Sequence, residues 1–174
     1  GGGGAVGDKI EGIAKGGMVV VGHSGLTPQS SARMGGFKAQ GRTTDSARAV
    51  IEDARAVWKA GARVLLLEGV PEEVCAYVHK MLPIPVYGIG AGADCDGQVL
   101  LAADALGMYK NFTPKFTKKY CDIGEVATRG MSDYIREVKE GSFPAPEHKY
   151  KISGDPEAFK KLFDEMSPLF GVED

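Results

Sequence analysis

Three short apolar runs constrain this chain more than anything else in it. Met18-Val19-Val20-Val21 stops at Gly22, and Val64-Leu65-Leu66-Leu67 stops at Glu68. The third, Val86 to Ile89, runs straight into Gly90-Ala91-Gly92. Helical periodicity follows them along the chain, and alternating β runs and helices argue for βα units around a parallel sheet. Continuous apolar strands such as Met18–Val21 are the kind a parallel sheet buries on both faces.

The helices between the runs carry recognisable punctuation. Asp8 with Glu11 resembles a capping box opening a short helix that stops at Gly16-Gly17. Ala47, Val50, Ile51, Ala54, Val57 and Trp58 recur at three and four, with Thr44 or Asp45 as the cap and Gly61 as the stop. Pro71 stands where a first-turn proline belongs, ahead of Glu72 and Glu73 at the positive end of the helix dipole. A helix near Gln98 to Leu106, a short strand at Lys115-Phe116 and a longer helix from Ile123 to Lys139 follow, the last with Val126, Tyr134, Ile135 and Val138 inward. Pro144 and Pro146 bracket a linker, and Asp155-Pro156 begins a final amphipathic helix bearing Phe159, Leu162, Phe163 and Met166. That makes four strands, each with a helix after it. Eight are needed to close a (β/α)₈ barrel, so the pattern describes either a small doubly wound sheet or half of something larger.

Composition excludes several classes of function. The 174 residues carry 21 Lys plus Arg against 23 Asp plus Glu, a net charge of −2, which favours neither nucleic acid nor an anionic membrane surface. No apolar run approaches the roughly 20 residues of a membrane span. No leader pattern opens the chain, which begins Gly1-Gly2-Gly3-Gly4 without Met, so the true start is expected to lie upstream. Cys75, Cys95 and Cys121 form no CxxC and leave one thiol unpaired however they pair, which suits reduced, structural cysteines.

Chemistry in α/β proteins gathers at the carboxyl ends of the strands. Those ends offer Gly22-His23, then Glu68, then Gly88 to Gly92. A carboxylate ending an apolar strand is costly unless it is paired or has a task. The turn from Gly88 to Ala93 formally fits the dinucleotide fingerprint G-x-G-x-x-A, but the acid expected about 20 residues on, at the end of a second strand, is missing. Tight backbone room beside a ligand is the better account of those glycines. Between His23 and Thr43 runs a long loop rich in Gly, Ser, Thr and Gln, of the kind that is usually functional.

Read as they stand, five blocks resemble the ketopantoate hydroxymethyltransferase family. They are GHxGLTPQ at Gly22–Gln29, GG(F/Y)KxQGR at Gly35–Arg42, LExVP at Leu67–Pro71, GIGAG at Gly88–Gly92 followed by Asp96-Gly97-Gln98, and Pro114-Lys115-Phe116. They keep the family's order across residues 1–148, and the tail after Tyr150 falls outside them. The resemblance implies an α/β fold, a (β/α)₈ TIM barrel of the phosphoenolpyruvate/pyruvate type, of which this chain would hold about the last four βα units. Residues 1–148 would form that half-barrel, and 149–174 an extension with one amphipathic helix.

The same resemblance implies hydroxymethyl transfer from 5,10-methylenetetrahydrofolate to 3-methyl-2-oxobutanoate, giving 2-dehydropantoate on the way to pantothenate. Glu68 takes the place of the catalytic base, and His23 lies against the bound keto-acid. Lys38 and Arg42, on a loop suited to a lid, are candidates for the folate's glutamyl carboxylates, with a solvated surface role as the alternative. Mg²⁺ or another divalent ion would chelate the keto-acid. The family's metal-binding aspartates and its K-x-E-G-G strand are expected upstream of Gly1, with Gly1 and Gly2 as that strand's glycines, so no metal ligand is assigned in this chain. It is then expected to be incomplete for activity alone. Gly69 stands where a cysteine is common in the family, a change expected to be tolerated. The implied partners are the keto-acid, the folate and further copies in a homo-oligomer, decameric in the family, with no nucleic acid and no membrane. The implied compartment is the cytoplasm, or the mitochondrial matrix in a eukaryote. Two other accounts remain: a non-catalytic or incomplete assembly subunit, and another metal-dependent keto-acid aldol enzyme of the same superfamily. For Glu68 the alternative to catalysis is a carboxylate merely pairing with His23 across the strand ends.

Overall fold

The computed structural model describes residues 3–32, 36–110 and 112–171. Gly1 and Gly2, and Gly35 of the second sequence block, lie outside the described residues. Four strands make one wholly parallel sheet in the order β1 (Val21–Gly25), β2 (Val64–Glu68), β3 (Val86–Ile89), β4 (Gly97–Gln98). The helices are α1 (Gly3–Lys15), α2 (Thr44–Lys59), α3 (Glu72–Met81), α4 (Ala102–Ala105), α5 (Ile123–Glu140) and α6 (Pro156–Met166). The chain gathers into two compact units, Gly1–Glu125 and Val126–Asp174.

Register decides which side chains meet. Gly22 pairs with Leu65 and Ser24 with Leu67, while Val86 and Gly88 pair with the same two leucines from the other side. This face takes the helices. Leu65, Leu67 and Val86 form one buried core with Val50, Ala54 and Val57 of α2 and Cys75 and Val78 of α3. Fully burying each such aliphatic side chain is worth about 1.5–3 kcal/mol. The fit of α2 on β1 depends on the absence of a side chain at Gly22, where a Cβ would collide with Val57. Beside it, Ser24 Oγ donates to Asp53 Oδ2 at 2.6 Å, tying the strand to the helix through a buried polar contact. The other face carries Val21, His23, Leu66 and Tyr87, and there both Val21 and Tyr87 are exposed.

Several sequence expectations shift in register. The first strand is Val21–Gly25 rather than Met18–Val21, and Met18 and Val19 are exposed. Close approach of α2 selects Gly22 and Ser24, so the true strand is less apolar than the residues before it. The fourth strand is Gly97–Gln98, not Lys115-Phe116. It is held by Asp96, whose Oδ2 accepts from Val86 N–H at 2.7 Å, and by Gln98 Nε2, which donates to Gly92 O at 2.8 Å. The helix expected from Gln98 to Leu106 shrinks to the single turn of α4.

The first helix starts at Gly3, which places Asp8 and Glu11 inside it, where Glu11 pairs with Lys15 at 2.6 Å instead of capping. For α2 the cap is Thr43, one residue before the two expected. Thr43 Oγ1 accepts from Ser46 N–H while Ser46 Oγ accepts from Thr43 N–H, a reciprocal box worth about 1 kcal/mol. Pro71 sits at the N-cap of α3, one position before the first turn.

All three cysteines are free thiols. Cys75 is buried on α3 against the Asp94 carbonyl, and burial first, then neighbouring Cys95, pushes its thiol up to about 12. In the second unit α5 does not turn its apolar residues inward: Val126, Tyr134, Ile135 and Val138 are all exposed. There Phe143 stacks edge-on with Tyr134 at 5.5 Å and against His148 at 5.2 Å. The cap of α6 is as expected, Asp155 Oδ1 accepting from Glu157 N–H with Pro156 at the first turn. No described helix is long and apolar enough to cross a membrane.

Candidate functional site

The carboxyl ends of β1, β2 and β3 lie side by side, with Gly25, Glu68 and Ile89 in one row. Glu68 closes β2 and is only 8% exposed. Strand alternation puts its side chain on the face of Leu66, away from Leu65 and Leu67. Burial raises its carboxyl above the ordinary 4.5.

His23 reaches Glu68 from the same face. Its Nε2 stands 3.1 Å from Glu68 Oε2, an ion-pair distance without the alignment of a hydrogen bond. Burial lowers the imidazole below its ordinary 6.5, while a backbone hydrogen bond with Leu26 acts in the opposite direction. Carboxyl and imidazole are thus both pushed toward their neutral forms.

The long loop after β1 is fastened over this pair. Leu26 N–H donates to Glu68 O at 2.7 Å, and Gln40 N–H donates to Gly69 O at 2.8 Å. Gly69 itself has φ +59, and a Cβ there would stand 3.3 Å from Leu26 Cβ. A cysteine at this position would meet both backbone strain and Leu26.

Between the loop and residues 101–116 opens a cleft of about 690 Å³ with Glu68 on its wall. Leu26, Phe37 and Ala39 line it from the loop, and Asp104, Phe112 and Lys115 from the far side. Phe37 and Ala39 face the cleft; Lys38 between them does not line it, and neither do Arg42 and His23. Both Lys38 and Arg42 are exposed. Sequence reasoning passed over Asp104, Phe112 and Lys115. Lys115 is expected in a short strand and in the last of the five blocks and Asp104 in a helix, and neither lies at a strand end in the structure.

The glycine-rich turn after β3 is packed rather than open. At Gly90 (φ +61) a Cβ would run into the ring of Phe116, and at Gly92 (φ +84) into the side chain of Glu72. Glu72 Oε1 also accepts from Ala93 N–H at 3.1 Å. No helix begins at this turn, so it lacks the helix N-terminus that receives a pyrophosphate in a dinucleotide fold. For a divalent ion, the described residues contain no group of three His, Cys, Asp or Glu side chains placed to hold one. The donors among the described residues do not fit such an ion.

A wholly parallel sheet layered with helices, with a desolvated carboxyl and an apolar cleft at its strand ends, defines a parallel α/β protein of the strand-end-site class. A sequence model of the ketopantoate hydroxymethyltransferase family matches residues 1–146. The 3-methyl-2-oxobutanoate hydroxymethyltransferases of Alkaliphilus metalliredigens (strain QYMF) and Enterococcus faecalis (strain ATCC 700802 / V583) are each 51% identical to it, over 95% and 90% of this chain. That of Syntrophobacter fumaroxidans (strain DSM 10017 / MPOB) is 48% identical over 87% of the chain. The chain belongs to the ketopantoate hydroxymethyltransferase family. It spans 58%, 56% and 54% of the length of these three relatives.

Proposed function

We propose that this chain forms the strand-end site of a 3-methyl-2-oxobutanoate hydroxymethyltransferase, moving a hydroxymethyl group from 5,10-methylenetetrahydrofolate to the keto-acid. The observation that carries this reading is Glu68. It is a carboxyl on a rigid strand end, desolvated, on the wall of a cleft, in a chain of this family. A raised carboxyl is a better match for abstracting a carbon-bound proton at neutral pH than an ordinary one. Glu68 would take the proton from C3 of the keto-acid, and the imidazole of His23, 3.1 Å away, would lie beside the keto-acid and share that proton.

The loop from His23 to Arg42 would act as the lid that excludes water from the enolate. Lys115, the one cationic side chain on the cleft wall among the described residues, is a fitting partner for the substrate carboxylate. Lys38 and Arg42, exposed on the loop, are proposed for the glutamyl carboxylates of the folate. A divalent ion in this site would draw on donors other than those described. The sheet would be part of a (β/α)₈ barrel, for which the open face with Val21 and Tyr87 is a supporting feature, and the protein would work as a homo-oligomer.

Deuterium exchange at C3 of 3-methyl-2-oxobutanoate, without folate, isolates the proton abstraction. Glu68→Gln is expected to slow it about 10²-fold or more, the usual scale for losing a general base. The close pairing with His23 favours one rival, a Glu68 that only holds its neighbour. Exchange at the parent rate in Glu68→Gln would establish that rival and remove the base.

A further inference from the structure

The cleft above Glu68 has features that proton abstraction leaves unused. Phe37 and Phe112 come from two different loops, yet their ring centroids stand 6.2 Å apart at an interplanar angle of 39°. Both line the cleft, and both are exposed, at 64% and 62%. Two large apolar rings in tilted contact with each other and left in solvent mark a place where something else completes their burial. Asp104 lines the same cleft, half-buried, with no ion-pair partner among the described residues. A cleft of about 690 Å³ sits within the range of roughly 300–1,000 Å³ that takes drug-sized ligands. A five-carbon keto-acid fills little of it.

We propose that Phe37 and Phe112 together form an apolar wall against which the flat pyrimidinone ring of the one-carbon donor packs, with Asp104 accepting from that ring's adjacent amino and lactam N–H groups. This rests on the function proposed above and names the site of its second reactant. The recognised chemistry is a planar heteroaromatic ring with two neighbouring donors on one edge. Packing on that wall buries one face of the ring, and a carboxylate accepting two parallel N–H bonds fixes which edge points inward. Glu68 on the same wall leaves the acceptor carbon of the keto-acid and the donor's one-carbon group sharing one dry space.

The test uses the purified, catalytically active protein and tetrahydrofolate as the titrated probe. Phe37→Leu and Phe112→Leu are each expected to weaken tetrahydrofolate about tenfold by calorimetry, and Asp104→Asn by a similar factor. Phe112→Tyr, which keeps the ring, should bind as the parent does. Folate-independent C3 deuterium exchange reads the separate proton abstraction: a fall there as large as the fall in tetrahydrofolate affinity would mark general disruption of the cleft and overturn the proposal. Unchanged tetrahydrofolate affinity in both leucine variants overturns the proposal, including the case where they alter oligomer assembly instead, which would make the rings a protein contact. Should the parent show no C3 exchange without folate, proton abstraction by Glu68 as proposed fails, and the ring site stands or falls on the titration alone.

Discussion

Gly17 and Gly25 share the same backbone angle, φ +83, but not the same surroundings. A Cβ on Gly17 would meet nothing within 4 Å, whereas one on Gly25 would collide with the carbonyl oxygen of Glu68 and stand 2.9 Å from Val70 Cγ1. Alanine at either site incurs the left-handed penalty of about 1–2 kcal/mol. At Gly25 it adds overpacking against backbone that cannot rotate away, about 1–3 kcal/mol more. Gly25→Ala should therefore cost about 2–5 kcal/mol, a large part of the roughly 5–15 kcal/mol that holds a domain together. With a urea dependence of about 1–3 kcal/mol per molar, its unfolding midpoint should fall by about 1–2 M, and that of Gly17→Ala by roughly half as much. Glu68 O also accepts from Leu26 N–H, so the same collision loosens the loop over the site. Equal losses in the two variants would show that the close approach of β1 to the end of β2 contributes nothing.

Glu68 has a folded-state value raised above 4.5, so its contribution to stability is present below pH 4.5 and is lost as pH rises through the raised value. Glu68→Gln should accordingly be more stable than the parent to urea at pH 7 and not at pH 4, while losing C3 exchange. His23 has the opposite sign: its folded value is depressed below 6.5, so its contribution is full above pH 6.5 and lost as pH falls through the lowered value. His23→Gln should flatten that part of the stability profile, measured by urea midpoints from pH 7.5 to 5. Ser24→Ala removes the 2.6 Å bond to Asp53 inside the layer between β1 and α2 and should cost about 1–3 kcal/mol by the same measurement. Gly69→Cys places a side chain at φ +59 against Leu26 and should cost about 1–2 kcal/mol, which thermal unfolding will read directly.

The βα alternation was legible because α2, α3, β2 and β3 bury one clear face each, and helix periodicity or an apolar run reports such burial. β1 was misplaced by three residues because apolarity was taken as the sign of a strand. Here the constraint on the covered face is smallness: Gly22 under Val57, and Ser24 beside Asp53. β4 was illegible for a related reason, since its two residues carry no apolar signal and are held by the side chains of Asp96 and Gln98. Glu68 was readable as a polar residue at a strand end; His23, expected just after the first strand, lies inside β1 opposite Leu66, and the structure brings the two together. Phe37, Asp104 and Phe112 were not readable, because their proximity depends on how two loops fold back over the sheet, which leaves no period in the sequence.

The three thiols sit at graded depth in the same unit, and this turns them into a built-in clock for its opening. A maleimide or disulfide reagent reacts with thiolate, so exposed Cys121 should be consumed first and half-buried Cys95 more slowly. Cys75, wholly buried and with its thiol pushed up to about 12, should stay silent at neutral pH until α3 lifts from the sheet. The order and spacing of the three labelling steps would then separate local opening of the loops from loss of the helix layer. No engineered probe is needed: the chain already carries one reporter on its surface, one beside the glycine-rich turn and one in the core.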